Sequence, residues 1–234
     1  MKAQALVLVP GLLCDALLWQ PQIAGLGKRA ECWVADHTRS DTMAQVAADI
    51  LAACPFKTFS LAGLSMGGYV ALEMMRQAPA RIARIALLDT VAQADTPEAS
   101  ARRNAFIALA DRGRFMGVTD TLLPQLVHAD HLDNEALTAL IKTMARNIGK
   151  AAFIRQEKAI ISRRDSRPLL SKITCPALVL CGKQDVLTPA ARHEEMAAGI
   201  AGATLEIVEH CGHLSTLEQP QAVNAALNLW LQQS

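Results

Sequence analysis

The stretch Gly63-Leu64-Ser65-Met66-Gly67-Gly68 follows the apolar run Phe59-Ser60-Leu61-Ala62 and opens a helical pattern that runs on to Ala78. That placement predicts a strand, a sharp turn and a helix, with Ser65 at the apex. In so tight a turn the central residue takes a strained backbone and its neighbours crowd. Positions 63 and 67, two residues either side of Ser65, must then do without a Cβ. Gly68 lets the new helix lie close on the sheet. The arrangement lifts the Ser65 hydroxyl above the carboxyl edge of the sheet, at a helix N-terminus rich in free N–H groups. Alone, a Gly-x-Ser-x-Gly pattern arises by accident in about one chain in ten of this length, so the rest of the chain must decide its meaning.

Outward from this turn, short Val/Leu/Ile-rich runs fall at 5–10, 32–36, 59–64, 82–88, 177–181 and 204–208. They are apolar throughout rather than alternating, as strands buried on both faces are. Helical patterns lie between them at 42–54, 65–78, 190–198 and 219–232, the first opening on a capping box of Thr42 and Gln45. Strands alternating with helices predict an α/β fold with a mostly parallel sheet of about six strands. Residues 92–172 break the rhythm and contain no convincing strand. Asp95-Thr96-Pro97-Glu98 and Asp133-Asn134-Glu135 both read as helix starts. The expected organisation is an α/β core of 1–91 and 173–234, with 92–172 as a helical lid inserted between two strands.

The chain has 234 residues, 19% charged and 51% hydrophobic, with a net charge of +1. Such a balance leaves no electrostatic footprint for nucleic acid or an anionic membrane, and no apolar run is long enough to span a bilayer. The opening MKAQALVLVPGLLC is interrupted by Pro10-Gly11 and lacks a small-x-small cleavage site, so it reads as the first strand rather than an export signal. Cys14, Cys32, Cys54, Cys175, Cys181 and Cys211 are scattered without metal or disulfide spacing, which suits small buried hydrophobes and a cytoplasmic location.

A serine hydroxyl needs a base, and the base an orienting acid. Cys211-Gly212-His213-Leu214 follows the last predicted strand, at the same sheet edge as Ser65. His213 is therefore the candidate base, with His210 next in line as a surface or capping residue. His128 and His131 fall in the helical insert and are expected in solvent. Asp185, past the end of the strand at 177–181, is the candidate acid; Asp89, past the end of 82–88, competes with it. The oxyanion of acyl transfer needs two backbone N–H groups. Met66, next to the nucleophile, supplies one. Leu12, in the loop after the first strand, supplies the other, with Leu13 behind it.

These residues resemble the α/β-hydrolase superfamily, whose chain order Ser, Asp, His matches Ser65, Asp185, His213. Trp19-Gln20-Pro21-Gln22, Gly182-Lys183-Gln184-Asp185, Gly212-His213 and Leu217-Glu218-Gln219-Pro220 look like positions of its small, lidded carboxylesterase and enol-lactonase branch. The resemblance implies that the insert shapes the substrate pocket. It also implies that this chain starts at the family's third strand. Two departures stand out. Pro10-Gly11 replaces the family's His-Gly, whose histidine braces the oxyanion loop. His37-Thr38-Arg39-Ser40 replaces a Gly-x-Gly-x-Ser loop and puts Arg39 at a rim or in solvent.

The expected function is a serine hydrolase of a small carboxylic ester, lactone or thioester, with no metal and no cofactor. An acyltransferase or a cofactor-free perhydrolase would use the same triad, and a ligand-binding sensor with residual hydrolysis would retain it. Phe106, Leu109, Phe115, Met116, Leu122, Leu126, Met144, Phe153 and Ile154 are expected mostly to pack the insert on the sheet, leaving a modest apolar site.

Overall fold

The computed structural model describes residues 3–233; Met1, Lys2 and Ser234, which the expected core includes, lie outside the described residues. Six strands are described: β1 (Gln4–Val9), β2 (Ala30–Val34), β3 (Phe59–Leu64), β4 (Ile82–Leu88), β5 (Ala177–Gly182) and β6 (Thr204–Val208). They form one sheet in the order β2-β1-β3-β4-β5-β6, every adjacent pair parallel. The helices are α1 (Gln20–Leu26), α2 (Met43–Ala53), α3 (Met66–Gln77), α4 (Pro97–Asp111), α5 (Leu123–Leu126), α6 (Glu135–Ile161), α7 (Arg167–Leu170), α8 (Ala190–Gly199), α9 (Ser215–Glu218) and α10 (Pro220–Gln232). Each sheet strand lies within two residues of its predicted bounds. Helix α1, with seven residues, and α5, α7 and α9, with four each, are too short for helical periodicity to reveal.

The strands are apolar throughout because each face of the sheet carries its own core. Val7, Val9, Leu61, Ile85, Leu87 and Val179 pack with α2, α3 and α8 on one side. Their neighbours Leu6, Leu8, Leu64, Leu88, Leu178 and Leu180 pack with Trp19, Val223, Leu227 and Trp230 on the other. The two-residue period of a strand thus feeds both faces. Fully burying one such side chain stabilises the fold by roughly 1.5–3 kcal/mol. The capping expectations hold locally: Thr42 Oγ1 accepts the Gln45 N–H, Thr96 precedes Pro97 and caps α4, and Asn134 caps α6.

Between β4 and β5 the described chain forms helices and loops only. Helix α6 is bent at Gly149, whose φ of 71° and ψ of 173° break the helical path. An ionic and aromatic cluster fastens this segment to α3. Arg163 pairs with Asp95 at 2.7 Å and lies over the Tyr69 ring, while Arg103 bridges Asp95 and Glu157. Strand order reverses between β1 and β3, so the loops after these two strands diverge and open a crevice at the carboxyl edge. Among the described residues no helix is long and apolar enough to cross a membrane.

Candidate active site

Ser65 stands at that crevice with φ 55° and ψ −116°, a strained conformation for a residue with a side chain. The surroundings over-determine it. Its N–H donates to Leu88 O at 2.9 Å, and the Thr90 hydroxyl donates to Ser65 O at 2.8 Å. The steric reading of the flanking glycines is met: a Cβ on Gly63 would strike the Gly67 carbonyl, and one on Gly67 would strike the Val9 carbonyl of β1. Helix α3 could not start so close to the sheet with any other residue at those positions.

His213 and Asp185 reach the same point from β6 and β5. His213 Nε2 is 2.8 Å from Ser65 Oγ, and His213 Nδ1 is 2.8 Å from Asp185 Oδ2. Asp185 Oδ1 accepts the N–H groups of Leu187 and Thr188, and Oδ2 also accepts the Thr188 hydroxyl. Burial alone would raise the Asp185 pKa, but the His213 charge and these hydrogen bonds hold it below the usual carboxylate value. Burial would likewise lower the His213 pKa, yet Asp185 outweighs it and keeps the imidazole above its ordinary value.

The competing carboxylate, Asp89, forms no hydrogen bond with a histidine among the described residues. It accepts the Gly182 N–H and both the N–H and hydroxyl of Ser215. His210 lies on the surface, 70% exposed, with Nδ1 3.1 Å from Asp130 Oδ2. Together with His128 they place three ligand-type atoms within 4.8 Å of one another, but the His128 Nδ1 already accepts the Asp130 N–H. The expectation that His128 and His131 sit in solvent is corrected. Both are half-buried, and His131 Nε2 is enclosed, because the loop before α6 folds against the turn carrying His210.

Of the two N–H groups expected at the oxyanion position, those of Leu12 and Met66 have no acceptor among the described residues. Leu13 differs: its N–H donates to the Gln156 side chain at 3.2 Å. Four further side chains fasten this site, a role that the sequence assigned to none of them. His37 and Gln156 meet under the β1 loop. His193 Nε2 accepts the Thr90 N–H, and burial holds it neutral with a pKa lowered to about 4. Glu218 accepts the N–H groups of His128, Gly212 and Leu214, which fixes the turn that presents His213. Its place in Leu217-Glu218-Gln219-Pro220 was the one available hint.

Above Ser65 lies a cavity of about 830 Å³ bounded by the β1 loop, the α4–α5 segment and the loop after β5. It is larger than the modest site expected. Of the nine apolar candidates, Met144 and Ile154 do not line it and the other seven do. Phe106, Leu109, Met116 and Leu122 are exposed there, whereas Phe153 lines the cavity while packed against Phe115. Arg39 points away, paired with Asp36 at 2.8 Å. All six cysteines are unpaired, and burial pushes Cys14 and Cys181 up to about 12, far from a reactive thiolate.

A family model described as the alpha/beta hydrolase family matches residues 6–226. The chain belongs to that family. It is similar to the pimeloyl-acyl-carrier-protein methyl ester esterase of Nitrosomonas europaea, 27% identical over 210 residues, which cover 87% of this chain and 81% of that protein. Among solved structures it resembles a thermophilic esterase from Thermogutta terrifontis, with a TM-score of 0.89 and 29% identity, covering 99% of this chain and 90% of the other. It also resembles the enol-lactonase from Burkholderia xenovorans, with a TM-score of 0.88 and 27% identity, covering 100% and 93%. The chain is thus a hydrolase-family enzyme whose relatives are named as acting on esters and lactones.

Proposed function

We propose that this chain is a serine hydrolase that cleaves a small carboxylic ester, lactone or thioester through an acyl-enzyme on Ser65. The observation that carries the reading is the unbroken hydrogen-bonded line from Ser65 Oγ through both nitrogens of His213 to Asp185. His213 Nε2 takes the hydroxyl proton as Ser65 Oγ attacks the substrate carbonyl. Asp185 holds the other proton on Nδ1, which leaves Nε2 bare to act as the base and steadies the imidazolium that forms. The Leu12 and Met66 N–H groups bind the oxyanion; loss of one such donor costs about 10²–10³ in turnover. The leaving group departs with the proton from His213, and a water deprotonated by His213 releases the acid.

In this reading residues 92–172 act as the lid of a core made of 1–91 and 173–234. The apolar wall formed by Phe106, Leu109, Met116 and Phe153 takes the acyl chain. Arg102 and Arg114 also line the cavity and join no ion pair among the described residues, which favours an acyl chain bearing an anionic end.

Hydrolysis of p-nitrophenyl esters from acetate to decanoate, with Ser65→Ala beside the wild type, tests the proposal. Turnover by the wild type that is lost by at least about 10⁴-fold in the variant is the expected result. Equal rates for both would remove Ser65 from the chemistry.

A further inference from the structure

We infer that Gln156 and His37 are positioning residues that hold the loop after β1 so that the Leu12 N–H stays aimed at the oxyanion. The inference rests on the reading of Ser65 as the nucleophile. Pro10-Gly11 stands where a bracing histidine is expected, so this loop needs another support. Leu13 has φ 60°, a left-handed conformation that an L-residue rarely adopts and that persists only where partners enforce it. Its N–H donates to Gln156 Oε1 at 3.2 Å, Gln156 Nε2 lies 2.9 Å from His37 Nε2, and that nitrogen lies 3.0 Å from Gly11 O.

A single ring nitrogen cannot serve both the Gln156 amide and the Gly11 carbonyl. Gly11 O already accepts the Cys14 N–H at 3.1 Å. The donor order that gives both the Leu13 N–H and the Gln156 amide an acceptor therefore runs from Leu13 to Gln156 Oε1 and from Gln156 Nε2 to a bare His37 Nε2. With the Leu13 N–H consumed in this relay, Leu12 presents the free donor. Gln156 is wholly buried and His37 is 2% exposed, and neither lines the cavity, so neither touches substrate. Gln156 sits in α6 beyond the bend at Gly149. The geometry of the oxyanion loop is thereby tied to the seat of the helical segment over the sheet.

The test uses the full chain with Gln156→Leu, Gln156→Glu and His37→Leu. It reads kcat and KM on the preferred p-nitrophenyl ester, inhibition by a trifluoromethyl ketone of matching chain length, and hydrogen exchange at the Leu13 amide. Gln156→Leu should lower kcat by about 10- to 100-fold with KM within about twofold, and weaken the ketone in proportion, because both need the oxyanion donors. Gln156→Glu keeps an acceptor for the Leu13 N–H and should recover most of the loss. His37→Leu should fall between them. A kcat within twofold of wild type in Gln156→Leu overturns the inference, as does a loss confined to KM or an unchanged ketone affinity. Should Gln156→Leu not fold, the other two variants decide in the same way. A wild type that neither turns over ester nor binds the ketone defeats the hydrolase reading itself. The Leu13 amide, protected in wild type and fast-exchanging in Gln156→Leu, still reports whether the brace exists.

Discussion

Asp89 and Asp185 end neighbouring strands, β4 and β5, at the same edge of the sheet, yet their surroundings drive them in opposite directions. Asp89 has φ 45° and is fully buried against Gly182 and Ser215. Burial, reinforced by the nearby Asp185 charge, pushes its pKa up to about 8. Asp185 is also enclosed, but it faces the His213 ring and collects three donors from Leu187 and Thr188. It stays ionised. Proximity to a strand end therefore does not make an acid useful to a base. Each carboxylate accepts three backbone N–H or hydroxyl donors, so the partner that can carry positive charge decides which one remains an anion.

The largest effect that separates the two is on turnover. Asp185→Asn should lower kcat by about 10³–10⁴, since the amide no longer holds the Nδ1 proton and the wrong tautomer faces Ser65. Asp89→Asn should cost less than about tenfold in the same steady-state assay. Comparable losses in both would dissolve the distinction.

A smaller effect is on the pH profile. The base works only when neutral, so kcat/KM should rise with pH through the His213 pKa, on a limb displaced above the ordinary imidazole value by Asp185. Asp185→Asn should move what remains of that limb to lower pH. Asp89→Asn should shift it less, because Asp89 ranks behind Asp185 among the charges that raise the His213 pKa.

The smallest effect is on stability. A carboxyl raised in the folded state keeps its proton while the unfolded chain releases it, so it drains stability as pH climbs from about 4 to about 8. Melting temperatures of Asp89→Asn relative to wild type should therefore rise between about pH 5 and pH 8. A constant or falling difference would mean that Asp89 is ionised in the fold.

What could be read in advance follows the range of the physics. The Ser65 turn was legible because its constraint is local: Gly63 and Gly67 are demanded by atoms only a few residues or one strand away. The strands at 59–64 and 82–88 were legible because apolar runs of that length bury on both faces. Helix α1 was hidden by its length, about two turns. His37, Gln156, Thr90 and Glu218 were silent for another reason. Gln156 bonds the Leu13 N–H, Thr90 the Ser65 carbonyl and Glu218 the Gly212 N–H, while His37 meets the Gln156 side chain, and no periodic pattern marks any of these contacts. The cavity was underestimated because helical spacing cannot tell a side chain that packs from one that faces a void.

The sequence by itself determined the parallel α/β layout, the strained serine and the placing of Ser65, Asp185 and His213 past strand ends at one sheet edge, since these rest on spacing, missing Cβ atoms and chain direction. Only the tertiary structure decided that Asp185 rather than Asp89 meets His213, that Leu12 rather than Leu13 presents a free N–H, and how much room stands above Ser65. Those outcomes depend on which buried donors and charges are brought within about 3 Å across distant elements, and a hydrogen bond's energy is lost within a fraction of an ångström of misplacement.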